Sequence, residues 1–233
     1  MRERDSVLNV SPDLLHLGLS TAVVVARGCS QSATPPALVD YRRKTGRQLA
    51  SHWKNLSLSS HPTLHEYERV HQAFAVEKEI SAPQKLLQYV RRHEDFPAAG
   101  PVVDCYNIVS AKTLLSIGAH DLAKIKTPIA LRPVTESDQF VPLASKELRS
   151  CAGEYAYVDP DGRIICRMEV LQADFTKVDA SSQDVIFFFQ GSRRIPPSEL
   201  LLGAWLLVEL VERFLGGTAE LVSFQEAVNG TPS

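Results

Sequence analysis

Ser116, His120 and Asp121 bring the side-chain types of a hydrolytic triad into six consecutive positions. A triad needs each group to reach the next, and adjacent His and Asp side chains diverge on most backbones, so this crowding is not yet triad geometry. The competing assignment makes Asp121 a cap after Gly118, with Leu122 and Ile125 packed inward. His61 and His65 have the i,i+4 spacing of two metal ligands, but Pro62 and a cap at Thr63 place His61 outside the helix and no H-E-x-x-H follows. No metal or other cofactor is therefore expected. Asp104, Asp121, Glu154, Asp159 and Asp161 are the remaining acid–base candidates. Asp104 and Asn107 share a helix face at i,i+3, as a site pair or as a buried polar network. Asp159 and Asp161 flank Pro160-Asp161-Gly162, where acids also serve turn geometry. A different chemistry is written in Tyr41-Arg42-Arg43-Lys44, Arg47, His52, Trp53 and Lys54, which interleave cations with aromatics. Such a surface neutralises phosphates and stacks a base, unless Tyr41 and Trp53 are buried and the rest is a solvated helix face. Arg91-Arg92-His93 extends that patch or simply suits a helix C-terminus.

These candidates need elements to position them. Thr21–Arg27 is short and β-branched, a buried strand ended by Gly28. Residues 30–36 form a turn-rich connector. Thr63 with Glu66, and Ser81 with Gln84, have capping-box spacing and open two helices. The first buries Leu64, Tyr67, Val70 and Phe74, and the second Leu86, Leu87 and Val90. After Pro97, Gly100 and Pro101 a third helix buries Val102, Val103, Tyr106 and Val109. Strands follow over 129–134, 154–158, 164–170 and 184–190, with 154–170 a hairpin about the Pro160-Asp161-Gly162 turn. A last helix spans 198–215 between Pro196-Pro197 and Gly216-Gly217. Helices first and strands later, without a βαβ rhythm or repeat, predict an α+β fold in one domain.

The 233 residues are 44% apolar and 22% charged, which excludes disordered and fibrous classes. The formal charge of −2 excludes a histone-like protein, although residues 1–100 carry 13 basic against 10 acidic side chains. Cys29, Cys105, Cys151 and Cys166 are unpaired in spacing, so reduced buried thiols are expected. The polar start, MRERDSVLNV, predicts no signal segment, and the apolar run 200–215 is too short and charged for a bilayer span. A cytoplasmic protein without membrane or DNA partners is expected. The sequence has no G-x-x-x-x-G-K-S/T, G-x-G-x-x-G or G-x-S-x-G, which removes the main support for nucleotide hydrolysis and α/β-hydrolase chemistry.

Residues 96–126 contain Pro97, Pro101-Val102-Val103-Asp104, Tyr106-Asn107, Val109-Ser110, Ile117-Gly118 and Asp121-Leu122 in order. Leu131-Arg132, Phe140-Val141-Pro142-Leu143, Gly153-Glu154, Tyr157, Asp159, Cys166-Arg167 and Thr176-Lys177-Val178 follow. This ordered set resembles the B3/B4 domain of the phenylalanyl-tRNA synthetase β subunit, and more closely its freestanding relatives. The match is best over 60–190 and extends to one B3/B4-like domain over 1–233. The resemblance implies a mixed-sheet, β-sandwich-like core flanked by helices. It also implies a trans-acting hydrolase that deacylates mischarged aminoacyl-tRNA, without the catalytic domain that aminoacylation needs. On that basis His120 or Asp159 orients the attacking water. Asp104, Asn107, Gly118, Asp121, Glu154 and Thr176 surround the substrate, and Arg42, Arg43, Lys44, Arg47 and Lys54 track the tRNA. The expected pocket lies between the Asp104 helix and the 154–170 hairpin. Departures from the synthetase pattern are Gly118 where H-A-F/Y-D has its histidine, His120 at the aromatic position, and Arg167-Met168-Glu169 where a glycine pair stands. They motivate the alternative of a tRNA- or amino-acid-binding module without catalysis. The long apolar C-terminal helix raises a third possibility, a protein-interaction role.

Overall fold

The computed structural model describes residues 7–74 and 79–228. The chain opens with β1 (Leu8–Val10), α1 (Pro12–Leu17) and β2 (Ser20–Arg27). Four helices follow: α2 (Pro36–Trp53), α3 (Pro62–Ala73), α4 (Ala82–His93) and α5 (Pro101–Thr113). Then come β3 (Ser116–Asp121), a single 3₁₀ turn, β4 (Ile129–Pro133), β5 (Tyr155–Val158), β6 (Ile164–Arg167), β7 (Leu171–Gln172) and β8 (Val185–Gly191). The described chain closes with α6 (Pro197–Leu215) and β9 (Thr218–Gln225).

β2 and β8 are apolar on both faces because each is covered twice. They lie at the centre of a four-stranded antiparallel sheet in the order β3-β8-β2-β9. One face carries Ala22, Val24, Phe187, Phe189, Ile117 and Ala119 against Leu38, Leu87, Ile108 and Leu207 of the helices. The other carries Val23, Val25, Ile186 and Phe188 against Leu8, Ile129, Leu131, Tyr155 and Ile165. Those partners belong to the second sheet, ordered β1-β4-β5-β6-β7, whose one parallel pairing is β1 with β4. Helices, sheet and sheet form three layers, the α+β architecture that the sequence pattern predicts with the sandwich core that the resemblance implies. Two short contacts join the ends of the described chain: Gln225 Nε2 donates to the Leu8 carbonyl at 2.8 Å, and Val228 N–H to that of Leu15 at 3.1 Å. No helix among the described residues is long and apolar enough to cross a membrane.

Local differences from the sequence reading have physical causes. Pro62, whose missing N–H costs nothing in a first turn, opens α3 with His61 at the cap, so Thr63 caps nothing and Glu66 pairs with Arg69 at 2.8 Å. Ser81 does cap α4 by position, yet its hydroxyl and Gln84 Oε1 make no hydrogen bond. The strand expected over 164–170 stops at Arg167 because Met168 adopts φ 50°, a left-handed conformation uncommon outside glycine. Gly46 is the residue that lets α2 meet the α4–α5 connection, since a Cβ there would lie 2.8 Å from Asp95 Cα and from the Glu94 carbonyl. The tight approach holds Asp95 beside Arg42.

Candidate active site

Strand alternation decides what β3 offers to each layer. Ile117 and Ala119 point to the helices, which sends Gly118 and His120 to the opposite face, toward the second sheet. There they meet Phe188 and Gln190 of β8, whose register pairs Gly118 with Phe188 and His120 with Ile186. α5 supplies Asn107 and Ser110, α4 supplies Leu86, and the β5–β6 hairpin supplies Tyr157 and Cys166. The turn after β6 contributes Glu169, and β7 contributes Gln172. Together they enclose a cavity of about 250 Å³ between α5 and the hairpin. That is below the roughly 300–1,000 Å³ of sites for drug-sized molecules and suits one amino-acid-sized group.

His120 is 1% exposed. Its Nδ1 lies 2.8 Å from Thr176 Oγ1, which in turn faces the Ala173 carbonyl at 3.5 Å. With the hydroxyl turned to that carbonyl, which can only accept, Thr176 accepts from Nδ1–H. Nε2 is then the unprotonated nitrogen, and it is buried at the cavity with no hydrogen-bond partner among the described residues. Burial pushes the His120 pKa down to about 3, so the ring is neutral. A Cβ on Gly118 would lie 3.5 Å from that Nε2 and 2.9 Å from Gln172 Nε2. The Gln172 amide thus occupies the space that a side chain at 118 would take, with the imidazole at ordinary contact distance.

Beneath the cavity runs a buried network that the sequence reading does not assemble. Glu169, aimed inward by the left-handed Met168, accepts from His71 Nε2 at 2.6 Å and from the Tyr155 hydroxyl at 3.0 Å. Gln190 Nε2 donates to the Tyr155 oxygen at 2.8 Å, and the Tyr157 hydroxyl donates to Gln190 Oε1 at 3.2 Å. Burial alone would lower the His71 pKa. Glu169, with the Glu79 carbonyl 3.1 Å from Nδ1, outweighs it and holds the ring above its ordinary value. Glu169 is therefore compensated by His71. Burial pushes the Tyr155 and Tyr157 hydroxyls well up, so both remain donors. Tyr67 ties helix to sheet, donating to the Gln190 carbonyl at 2.7 Å and accepting from Ser116 N–H at 3.1 Å. Sequence distance hides these partners; period-2 alternation of Tyr155 and Tyr157 in the hairpin is the one local signal.

The other candidate residues divide by place. Asn107, Gly118 and His120 meet at the cavity, and Thr176 stands behind His120. Asp104 does not reach it: its carboxylate accepts from Arg42 Nη1 at 2.9 Å and is wholly buried. Arg42 is correspondingly buried, held also by Asp95 at 3.1 Å, so it faces inward and not toward an external phosphate. Arg43, Lys44, Arg47 and Lys54 stay exposed on or just beyond α2. Asp121 accepts from Ser182 at 2.7 Å and from Ala123 N–H at 3.0 Å, the capping role, and makes no triad with Ser116 or His120. Ser116 donates to the Glu169 carbonyl at 3.1 Å. Glu154 is engaged by Arg167, with Nη2 to Oε1 at 2.8 Å. Asp159 closes its own hairpin turn, accepting from Asp161 and Arg163 N–H at 3.0 Å each and pairing with the Arg163 guanidinium at 2.7 Å. It lines a separate surface depression with Arg132 and Asp138, away from His120.

The chain is thus a sandwich of two sheets under a helical layer, with the cavity where β3 faces the hairpin. The model of the B3/4 domain matches residues 72–196, over half of the chain, and the chain belongs to that family. It is also similar to an N-terminal fragment of the phenylalanyl-tRNA synthetase β-subunit from Pyrococcus horikoshii, with a TM-score of 0.52 and 14% identity. That likeness is one of fold, covering 99% of this chain and 56% of the fragment. No curated protein matches the chain.

Proposed function

We propose that the cavity holds the acyl end of an aminoacyl-tRNA and that the chain, acting as one domain over 1–233, hydrolyses the ester of a mischarged tRNA. The observation that carries this reading is the neutral, buried His120 with its bare Nε2 at a cavity of amino-acid size. An aminoacyl ester is already activated, so placement of water and of the developing oxyanion accounts for most of what is required. Nε2 accepts a hydrogen bond from water and aims its oxygen at the acyl carbon. The new C–O bond forms, the ester C–O bond breaks, and the ribose oxygen leaves with a proton. A nitrogen with a pKa near 3 orients the water and does not store its proton. Asn107 and Gln172 line the cavity with side-chain amides that make no hydrogen bond among the described residues, and they donate to the oxyanion. Arg43, Lys44, Arg47 and Lys54 give the tRNA a cationic track along α2.

The weak basicity of His120 favours one second reading, a pocket that binds aminoacyl-tRNA or amino acid without turnover. Deacylation of a panel of correctly and wrongly charged tRNAs separates the two. The editing reading expects release from one mischarged class and a loss of about a hundredfold in His120→Ala, the order of losing a group that places the attacking water. Flat time courses with measurable tRNA binding establish the binding module.

A further inference from the structure

Ala82 and Leu86 of α4 line the cavity, and the same helical stripe continues at i+7 and i+11 to Tyr89 and His93. From Leu86 to His93 the stripe advances about 10 Å along the axis. It ends on the surface: Tyr89 is 39% exposed, and its ring stacks on His93 with centroids 4.2 Å apart and planes 33° apart. Tyr89 belongs to none of the hydrophobic clusters, so core packing does not account for it. Arg92 lies i+3 from Tyr89, is exposed, and pairs with no carboxylate among the described residues, whereas Lys85 on the same helix is taken by Glu79 at 2.7 Å. On the other flank, Arg91 and Lys54 line a surface cleft with Ser57, Ser59 and Gln88, and no acid lines it.

We propose that Tyr89 and His93 form a stacking platform for the single-stranded 3′ end of the RNA whose amino acid enters the cavity, with Arg92, Arg91 and Lys54 taking its phosphates. This rests on the aminoacyl-tRNA reading above. The chemistry selects a single strand: a base offers its face to an aromatic ring only when it has left a duplex stack, and unpaired cations beside the ring match the adjoining phosphates. α4 then serves two ends of one ligand, the acyl group at Leu86 and a base at Tyr89.

The probe is fluorescently labelled CpCpA, titrated by anisotropy into the full-length protein, with tRNA lacking that trinucleotide as the second ligand. Tyr89→Ala is expected to weaken CpCpA binding by about five- to a hundredfold, as removal of one base–aromatic stack does, while Tyr89→Phe, which keeps the ring, stays within about twofold. Truncated tRNA binds wild type and Tyr89→Ala alike. The platform is overturned if wild type does not bind CpCpA, if Tyr89→Ala binds it as wild type does, or if both ligands weaken together. Ring-dependent CpCpA binding without any deacylation sinks the hydrolytic reading and leaves the platform standing. Deacylation with unchanged Tyr89→Ala kinetics does the reverse.

Discussion

His120 lines the cavity, His71 holds the cavity-lining Glu169, and the two histidines are shifted in opposite directions, which gives each a separate mark on stability. An unfolded histidine titrates near 6.5. His120, depressed to about 3 by burial, makes the unfolded chain the better proton acceptor between those values, so its contribution is intact above 6.5 and lost as pH falls toward 3. His71 is raised by Glu169, so its contribution is intact below 6.5 and lost as pH rises through its folded value. Urea titrations from pH 4 to 9 should show His120→Gln flattening the acid limb by up to about 1.4 kcal/mol per pH unit, and His71→Gln flattening the alkaline one. Deacylation, by contrast, should show no acid limb near 6.5 from His120. Gly118 tests the shape of the site. Its missing Cβ is met by the far end of Gln172, which can swing, so Gly118→Ala should fold within about 1 kcal/mol of wild type. It should bind or deacylate several-fold less well, because the displaced amide is one of the two donors assigned to the oxyanion.

At the scale of elements, α2 shows how far a charge pattern reaches. The run at 41–54 reads as one cationic face, but Leu38, Arg42, Thr45 and Trp53 fall on a single helical stripe, and all four are buried. That periodicity was available in the sequence. The acids that make burial tolerable, Asp95 and Asp104, lie more than fifty positions away and were not. Arg42→Ala should therefore cost about 3–5 kcal/mol by stranding Asp104, and Arg42→Met with Asp104→Leu should recover most of it. Lys44→Ala or Arg47→Ala should leave the urea midpoint almost unmoved. Each should instead weaken tRNA binding uniformly and make its salt dependence shallower by about one unit of slope. β2 and β8 announce themselves by unbroken apolar runs. β3 does not, because Gly118 and His120 on its cavity face stand where apolar or β-branched residues would mark a strand.

For the whole molecule, layer order explains what sequence pattern alone leaves open. The helices α3 to α6 and the strands β2, β4, β5, β6 and β8 could be read one at a time, and the resemblance led to the cavity between α5 and the hairpin. By contrast, β1, α1, β7 and β9 carried no pattern that singled them out. The network of His71, Glu169, Tyr155 and Gln190 could not be read in this way, since its members come from α3, β5, β8 and the turn after β6 and meet only when both sheets close. A cavity assembled this way is expected to form late and to open with global unfolding, so amide exchange in β3 and β8 should track the full unfolding free energy. The contacts between Gln225 and Leu8, and between Val228 and Leu15, carry a further implication. They make the described chain nearly a ring, in which the order of reading can be changed without moving a layer. A circular permutant that bridges 228 to 7 with a short flexible linker and begins in the exposed stretch 146–150 should keep both sheets, the His120 cavity and the α4 stripe.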